Sequence, residues 1–193
     1  MPRNPKGAGK PSQLRIIGGQ WRGRKLTFQP QPGLRPTTDR IRETLFNWLA
    51  SELHGARCAD LFAGSGALGL EALSRGAGHC DFVDQSAQVV AQLRQHLDTL
   101  QAASLGHYHA GSAVEFLAGA SAAYDIVFID PPFGQALVEP TCAALTRGDL
   151  LAPGALVYIE TAMDEEAPEL PSNWIEHRNK RAGAVAYRLY RVE

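Results

Sequence analysis

Two short stretches of the chain hold residues whose types and spacing can do chemistry. The first is Asp60-Leu61-Phe62-Ala63-Gly64-Ser65-Gly66-Ala67-Leu68-Gly69. A short strand over 57–62 leads into a G-x-G-x-x-G turn, and a helix is predicted from Ala67 to Arg75. Asp84 stands twenty residues past Gly64, at the end of the next apolar run. Glycines in such a turn let the backbone approach a ligand, and an acid at that distance pairs with ribose hydroxyls. The pattern points to a nucleoside cofactor. Its candidate contacts are Asp60, Phe62, Ala63, Gly64, Ser65, Gly66, Leu68 and Asp84. The competing reading of the glycines alone is a tight structural turn.

Two cofactors share that adenosine. NAD carries a pyrophosphate that sits on a helix N-terminus. S-adenosylmethionine carries a cationic sulfonium and a zwitterionic methionine tail. Asp60 beside the loop suits the methionine ammonium and repels a pyrophosphate. Its other reading, compatible with the first, is an acceptor for the turn's own N–H groups.

The second stretch, Asp130-Pro131-Pro132-Phe133, follows the apolar run 124–129. Loops beyond the carboxyl ends of parallel strands face the ligand in open α/β sheets. An aromatic exocyclic amine is a poor nucleophile because its lone pair is delocalised into the ring. Two acceptors on its hydrogens turn that lone pair toward a methyl donor. The Asp130 carboxylate and the Pro131 carbonyl are the candidates. Pro132 holds Pro131 extended, and Phe133 offers a flat face for a base. The bland alternative is a rigid strand exit with an exposed acid. Taken together, the two motifs favour S-adenosylmethionine as cofactor and methylation of a base amine.

The elements that must position these residues follow from periodicity. Residues 1–12 read as a basic tail, and Leu14 to Phe28 as a β-hairpin around Gly18-Gly19. Pro30, Pro32, Gly33 and Pro36 form a stiff linker. A helix is predicted over 38–53, with Thr37 or Thr38 as N-cap and Ile41, Leu45, Trp48 and Leu49 on its apolar face. Strands are predicted over 57–62, 79–84, 107–110, 124–129 and 155–160. Helices are predicted over 67–75, 87–103, 113–117 and 135–146. That alternation implies a parallel sheet covered on both faces. Two last strands, 174–179 and 185–192, flank Ala182-Gly183 and must pair antiparallel. The division expected is an extension over 1–36 and a catalytic domain over 37–193.

Charge is distributed unevenly. Residues 1–45 hold ten Lys/Arg and only Asp39 and Glu43, whereas the remainder holds nine basic and eighteen acidic residues. A basic end on an acidic body suggests a polyanion contact. Its candidates are Arg15, Trp21, Arg22, Arg24, Lys25, Arg35 and Arg40. Trp21 either stacks on RNA or caps the hairpin, and Arg40 and Arg42 either meet phosphate or face solvent. Three cysteines, Cys58, Cys80 and Cys142, form no C-x-x-C pair. No metal, disulfide framework, signal peptide or membrane span is expected, so a cytoplasmic protein is.

From about Gln13 to Arg191 the chain resembles the bacterial ribosomal small-subunit methyltransferase D family. The most specific stretches are Arg15-Ile16-Ile17-Gly18-Gly19-Gln20-Trp21-Arg22-Gly23-Arg24-Lys25-Leu26 and the run from Leu34-Arg35-Pro36-Thr37-Thr38-Asp39 to Asn47-Trp48-Leu49. The run 60–77, the Asp130–Phe133 loop and the closing stretch 183–190 complete the match. The resemblance implies an α/β, Rossmann-like class I S-adenosylmethionine methyltransferase. Its sheet would have seven mostly parallel strands ending in an antiparallel hairpin, with an N-terminal hairpin and helix that engage RNA. It further implies methylation of the N2 amine of a guanine in 16S rRNA of the small ribosomal subunit; separately, a monomer is expected. One position departs from the wider pattern. Where many such enzymes hold the adenine with an acid, this chain has Gly111-Ser112-Ala113, so Ser112 or a backbone carbonyl, with Ala113, takes that place. The alternatives left open are a DNA adenine-N6 methyltransferase, an oxidoreductase, and a non-catalytic RNA-binding protein on the same fold.

Overall fold

Alternating strand and helix signals resolve into one mixed sheet, and a computed structural model describes residues 12–29 and 37–193. The tail, the Pro30–Pro36 linker and Arg35 lie outside the described residues. Two short strands, β1 (Ser12–Arg15) and β2 (Lys25–Phe28), form a separate antiparallel ribbon. Helix α1 spans Asp39–Trp48, shorter than the predicted 38–53. Thr38 is its N-cap, accepting from the Ile41 N–H.

The main sheet takes β3 (Arg57–Asp60), β4 (His79–Asp84), β5 (Gly106–Ala110), β6 (Tyr124–Ile129), β7 (Leu151–Ala162), β8 (Trp174–Ala182) and β9 (Val185–Val192). The helices between them are α2 (Gly69–Ser74), α3 (Ala87–Thr99), α4 (Ala113–Gly119) and α5 (Val138–Arg147). Strand order is β5-β4-β3-β6-β7-β9-β8. The strands β3 to β7 run parallel, and β9 lies antiparallel between β7 and β8. The seven-stranded architecture and its antiparallel ending are as expected. Strand β7 is twice the predicted length: Leu151 pairs with Tyr124 ahead of a register shift, and Thr161 and Ala162 pair with β9.

The central strands are buried on both faces, as continuous apolar runs such as Ile126-Val127-Phe128-Ile129 require. The ribbon is not a detached arm. Leu14, Ile16, Trp21, Leu26 and Phe28 share one core with α1, α2 and α3. The Ser74 carbonyl and hydroxyl accept from the Gln20 and Trp21 N–H groups. Gln92 and His96 of α3 pair with the Thr27 carbonyl.

Cys58 and Cys80, distant in sequence, are register partners on β3 and β4, and both remain buried free thiols. No helix among the described residues is long and apolar enough to cross a membrane.

Candidate active site

The carboxyl ends of β3, β4, β5 and β6 open onto a cavity of about 320 Å³, a size that suits a small-molecule ligand. The chain goes from β3 to β4 and β5 on one side and then crosses to β6 on the other, so the cavity sits where strand order reverses. Of the residues expected to meet a cofactor, Asp60, Phe62, Ala63, Gly64, Ser65, Leu68, Asp84, Ala113 and Asp130 line it, together with Pro131, Pro132 and Phe133.

Two expected contacts do not line it. Gly66 has φ +79, and a Cβ there would overlap Leu93 of α3 and Leu70 of α2. Its lack of a side chain serves the packing of α3 on the turn rather than approach to a ligand. Ser112 caps α4: its hydroxyl accepts from the Glu115 N–H, while Glu115 accepts from the Ser112 N–H. The side chain is committed to that capping box, and the stretch meets the cavity through Gly111 and Ala113.

Each acid at the cavity has a defined task. Asp60, 2% exposed, accepts from the Gly69 N–H at 2.9 Å. It thereby occupies the N-terminus of α2, where a dinucleotide-binding turn would hold a pyrophosphate. Burial pushes its pKa up to about 7, opposed by the N–H groups of Gly69 and Phe62. Asp84 accepts from the Gly64 N–H at 3.0 Å and from the Ser86 N–H at 2.8 Å, and its carboxyl stays partly open to the cavity. Gly64 itself has φ +49, which turns its backbone toward Asp84.

Asp130 leaves the end of β6 and accepts from the Thr37 hydroxyl at 3.0 Å. Burial raises its pKa to about 6, and the Thr37 hydrogen bond opposes the rise. The loop beyond it turns at Gly134, φ +76. Glu165 ties that turn to the end of β7 by accepting from the Gly134 and Ala162 N–H groups.

The cavity lining holds three carboxyl groups and no Lys, Arg or His. Such a lining attracts a cation and repels phosphate. Among the described residues no group of three or more His, Cys, Asp or Glu is disposed to hold a metal.

The basic candidates separate. Trp21 is 9% exposed and packs in the core, so its ring cannot stack on RNA. Arg15 pairs with Asp39 at 2.9 Å. Arg22, Arg24, Lys25 and Arg40 are exposed and form no ion pair among the described residues. Gln20 and Trp21 bond to Ser74, so the basic loop lies against the end of α2 away from the cavity. Arg42, expected at phosphate or in solvent, is instead 1% exposed and meets Glu71 at 3.5 Å, Asp39 at 2.6 Å and the Arg15 carbonyl at 2.9 Å.

Sequence reasoning missed two residues at the site. Thr37 reaches Asp130 because Thr38 does the capping. Glu160, 3% exposed, lies inside β7 after the apolar run 155–159, much as Asp130 comes after 124–129, and that repeated pattern was its signal.

The family model described as "Conserved hypothetical protein 95" matches residues 14–191. The chain is 50% identical over 190 residues to the Ribosomal RNA small subunit methyltransferase D of Escherichia coli strain K12, covering 98% of this chain and 94% of that one. To its counterpart from Haemophilus influenzae it is 44% identical, covering 92% and 93%. A solved structure described as a putative methyltransferase from Escherichia coli superposes with a TM-score of 0.86 at 49% identity, covering 94% of this chain and 99% of that one. A putative methylase from Haemophilus influenzae gives 0.81 at 41%, covering 94% and 99%.

Proposed function

This chain belongs to the ribosomal RNA small subunit methyltransferase D family, and from that premise we propose that it methylates the N2 amine of a guanine in 16S rRNA of the small ribosomal subunit, using S-adenosylmethionine. The observation that carries the reading is the cavity: three carboxyls, no cation, and a helix N-terminus already filled by Asp60. That lining suits a sulfonium and an ammonium and disfavours the pyrophosphate of NAD.

The residues present fit the cofactor. Each Asp84 oxygen, after its one backbone bond, keeps a lone pair for a ribose hydroxyl. Phe62, Ala113 and Leu137 offer apolar walls for an adenine. Asp60 and the turn from Phe62 to Ser65 would hold the methionine end. When bound, S-adenosylmethionine supplies a methyl group on a cationic sulfur that is already an activated leaving group.

The chain's own contribution is orientation. Asp130 and the Pro131 carbonyl accept the two amine hydrogens and turn the nitrogen lone pair out of the ring plane. Phe133 stacks on the base. Arg22, Arg24 and Lys25 contact phosphates beyond the cavity, which suits a large folded RNA better than a single nucleotide.

The test is transfer of labelled methyl from S-adenosylmethionine to small subunits, free rRNA and duplex DNA in parallel, with the modified nucleoside identified by mass spectrometry. N2-methylguanosine in 16S rRNA is the expected product. N6-methyladenine in DNA, or no product on any RNA, would overturn the reading.

A further inference from the structure

The cations left without a countercharge are not scattered over the body of the chain. Beyond residue 45 there are nine Lys/Arg, and five of them fall between 178 and 191, on β8 and β9. Arg57 and Arg75 are tied to Asp81 and Glu71, Arg94 lies over the Tyr108 ring, and Arg147 sits in the last turn of α5. Arg188 approaches Glu176, and Arg191 pairs with Glu52 at 3.0 Å. That leaves Arg178, Lys180 and Arg181, exposed on the edge strand β8, with no ion pair among the described residues. Arg178 donates only to the preceding carbonyl, at 2.8 Å.

Strand register assigns these three to different faces, because paired residues share a side of the sheet. Lys180 pairs with Tyr187 and Arg178 with Leu189, and both partners belong to the core under α1. Arg181 pairs with Ala186 and points to the opposite face, which α5 covers. The acids go with that second face. Glu176 meets Arg188 there. The loop from β7 to β8 carries Asp164, Glu166 and Glu169 and returns over α5, where the Glu169 N–H donates to Glu139.

On the first face α1 runs beside β8 and β9. Trp48 stacks on Tyr187 at 5.5 Å. Arg40, Thr44 and Trp48 follow at four-residue spacing and share that flank of the helix. Glu43 instead adds its charge to Arg15 on the hairpin side. The result is a groove with Arg40 on one wall, Arg178 and Lys180 on the other, and half-buried Trp48 between them. Its open end meets the cavity. Thr37, one helical turn before Arg40, donates to Asp130. Lys180 is level with Glu160 through Tyr187, one position past the Ile129–Ile159 pair, and so level with Asp130. Three strand spacings separate Lys180 from Asp130, about 14 Å.

We propose that the groove between α1 and β8, walled by Arg40, Arg178 and Lys180, holds the phosphates of the RNA strand that flanks the target base. The proposal rests on the rRNA methyltransferase reading above. Beyond residue 45 acids outnumber bases eighteen to nine, and the cavity itself is lined by carboxyls. A polyanion delivers a base into such a cavity only where positive charge takes the neighbouring phosphates. Arg22, Arg24 and Lys25 lie at the other end of α2 and cannot serve at the mouth. Cations beside an open aromatic face are also the means by which proteins hold single strands. The competing role for charge on an edge strand is to keep it from pairing with another chain. That role draws on Lys180 and Arg181 alike, whereas the groove uses Lys180 alone of the two.

The test is equilibrium binding of the full chain to small subunits across a salt series. Lys180→Gln and Arg178→Gln should each weaken binding roughly five- to eightfold at 0.1 M salt and lower the salt slope by about 0.7–0.9, the release expected for one phosphate contact. Lys180→Arg should bind as wild type, and Arg181→Gln should change little. S-adenosylmethionine affinity and melting temperature should stay unchanged in all four. Because the three native cysteines are buried, Lys180→Cys carries a lone exposed thiol for a photo-cross-linker. Its cross-link should map to 16S rRNA within a few nucleotides of the methylated base.

Equal losses in Lys180→Gln and Arg181→Gln overturn the proposal, as does unaltered binding in both Lys180→Gln and Arg178→Gln. A cross-link to a ribosomal protein instead of rRNA does the same. If the wild type binds small subunits without methylating them, the functional reading fails, and binding and cross-linking still judge the groove. Normal methylation with unaltered binding in the variants sinks the groove alone.

Discussion

Replacing Asp130 by alanine is the perturbation with the most to reveal. The substitution removes the carboxylate whose Oδ1 has no hydrogen-bond partner among the described residues. A hydrogen bond to an ionised group contributes about 1.5–3 kcal/mol. Positive charge also grows on the amine as it bonds to carbon. At about 4 Å from a carboxylate, that charge adds roughly 4 kcal/mol at an effective dielectric near 20. Only the share absent from the ground state speeds the reaction. The expected loss is therefore about 3–4 kcal/mol, or roughly 10²–10³-fold in rate.

Single-turnover methylation of small subunits between pH 5 and 8 measures it, with cofactor binding followed by calorimetry. S-adenosylmethionine affinity should stay nearly unchanged, because the glycine turn and Asp84 carry it. The wild-type rate should rise with pH through about 6, as Asp130 ionises. Asp130→Asn keeps an acceptor oxygen, so it should fall between wild type and alanine and lack that limb. The stability sign also follows. A carboxyl whose folded pKa is raised stabilises the fold fully below its ordinary value of about 3.9, and that contribution is lost as pH rises through about 6. Asp130→Asn should therefore melt higher than wild type at pH 8. Wild-type turnover by Asp130→Ala at pH 7.5, or an unchanged acid limb in Asp130→Asn, would refute the reasoning.

Gly66→Ala should lower the melting temperature, by an amount matching an overpacking penalty of about 1–3 kcal/mol, because its Cβ meets Leu93 and Leu70 at φ +79. Unaltered stability with lost cofactor affinity would restore Gly66 to the binding surface. Arg42→Met should destabilise by about 1–3 kcal/mol in denaturant titration, since buried Glu71 loses one of its two guanidinium partners and keeps Arg75 at 2.7 Å, whereas Arg40→Ala should change stability by less than about 0.5 kcal/mol. Charge reversal at Arg22 and Arg24 should weaken small-subunit binding, leave the melting temperature unchanged, and flatten the salt dependence by about 0.7–0.9 per lost phosphate contact. An unchanged affinity would assign those charges to solvent.

Much of the fold was legible because its signals are local. The apolar run 124–129, the glycine turn and the period of the helices each depend on residues within a few positions, and β4, β6 and β9 lie where periodicity put them. Boundaries were less legible where pairing decides them, as in β7, where Leu151 pairs with Tyr124 and Ala162 with Val185. The buried Arg42 was unreadable for a related reason. A helix period identifies a face but not a distant partner, and Glu71 lies twenty-nine residues away.

By itself, the sequence determined which groups could do chemistry: three acids at strand ends, a glycine turn and an Asp-Pro-Pro-Phe exit, with a basic flank. Tertiary structure alone decided which of them meet, and on what terms. It seated Asp60 on the α2 N-terminus, buried Trp21, committed Ser112 to a cap and spent Gly66 on packing. It also brought Thr37 and Glu160 to Asp130 across ninety-three and thirty residues. The physical reason is that residue type sets which bonds a group can form, whereas protonation, burial and orientation depend on neighbours supplied by strand register and packing, which no local pattern encodes.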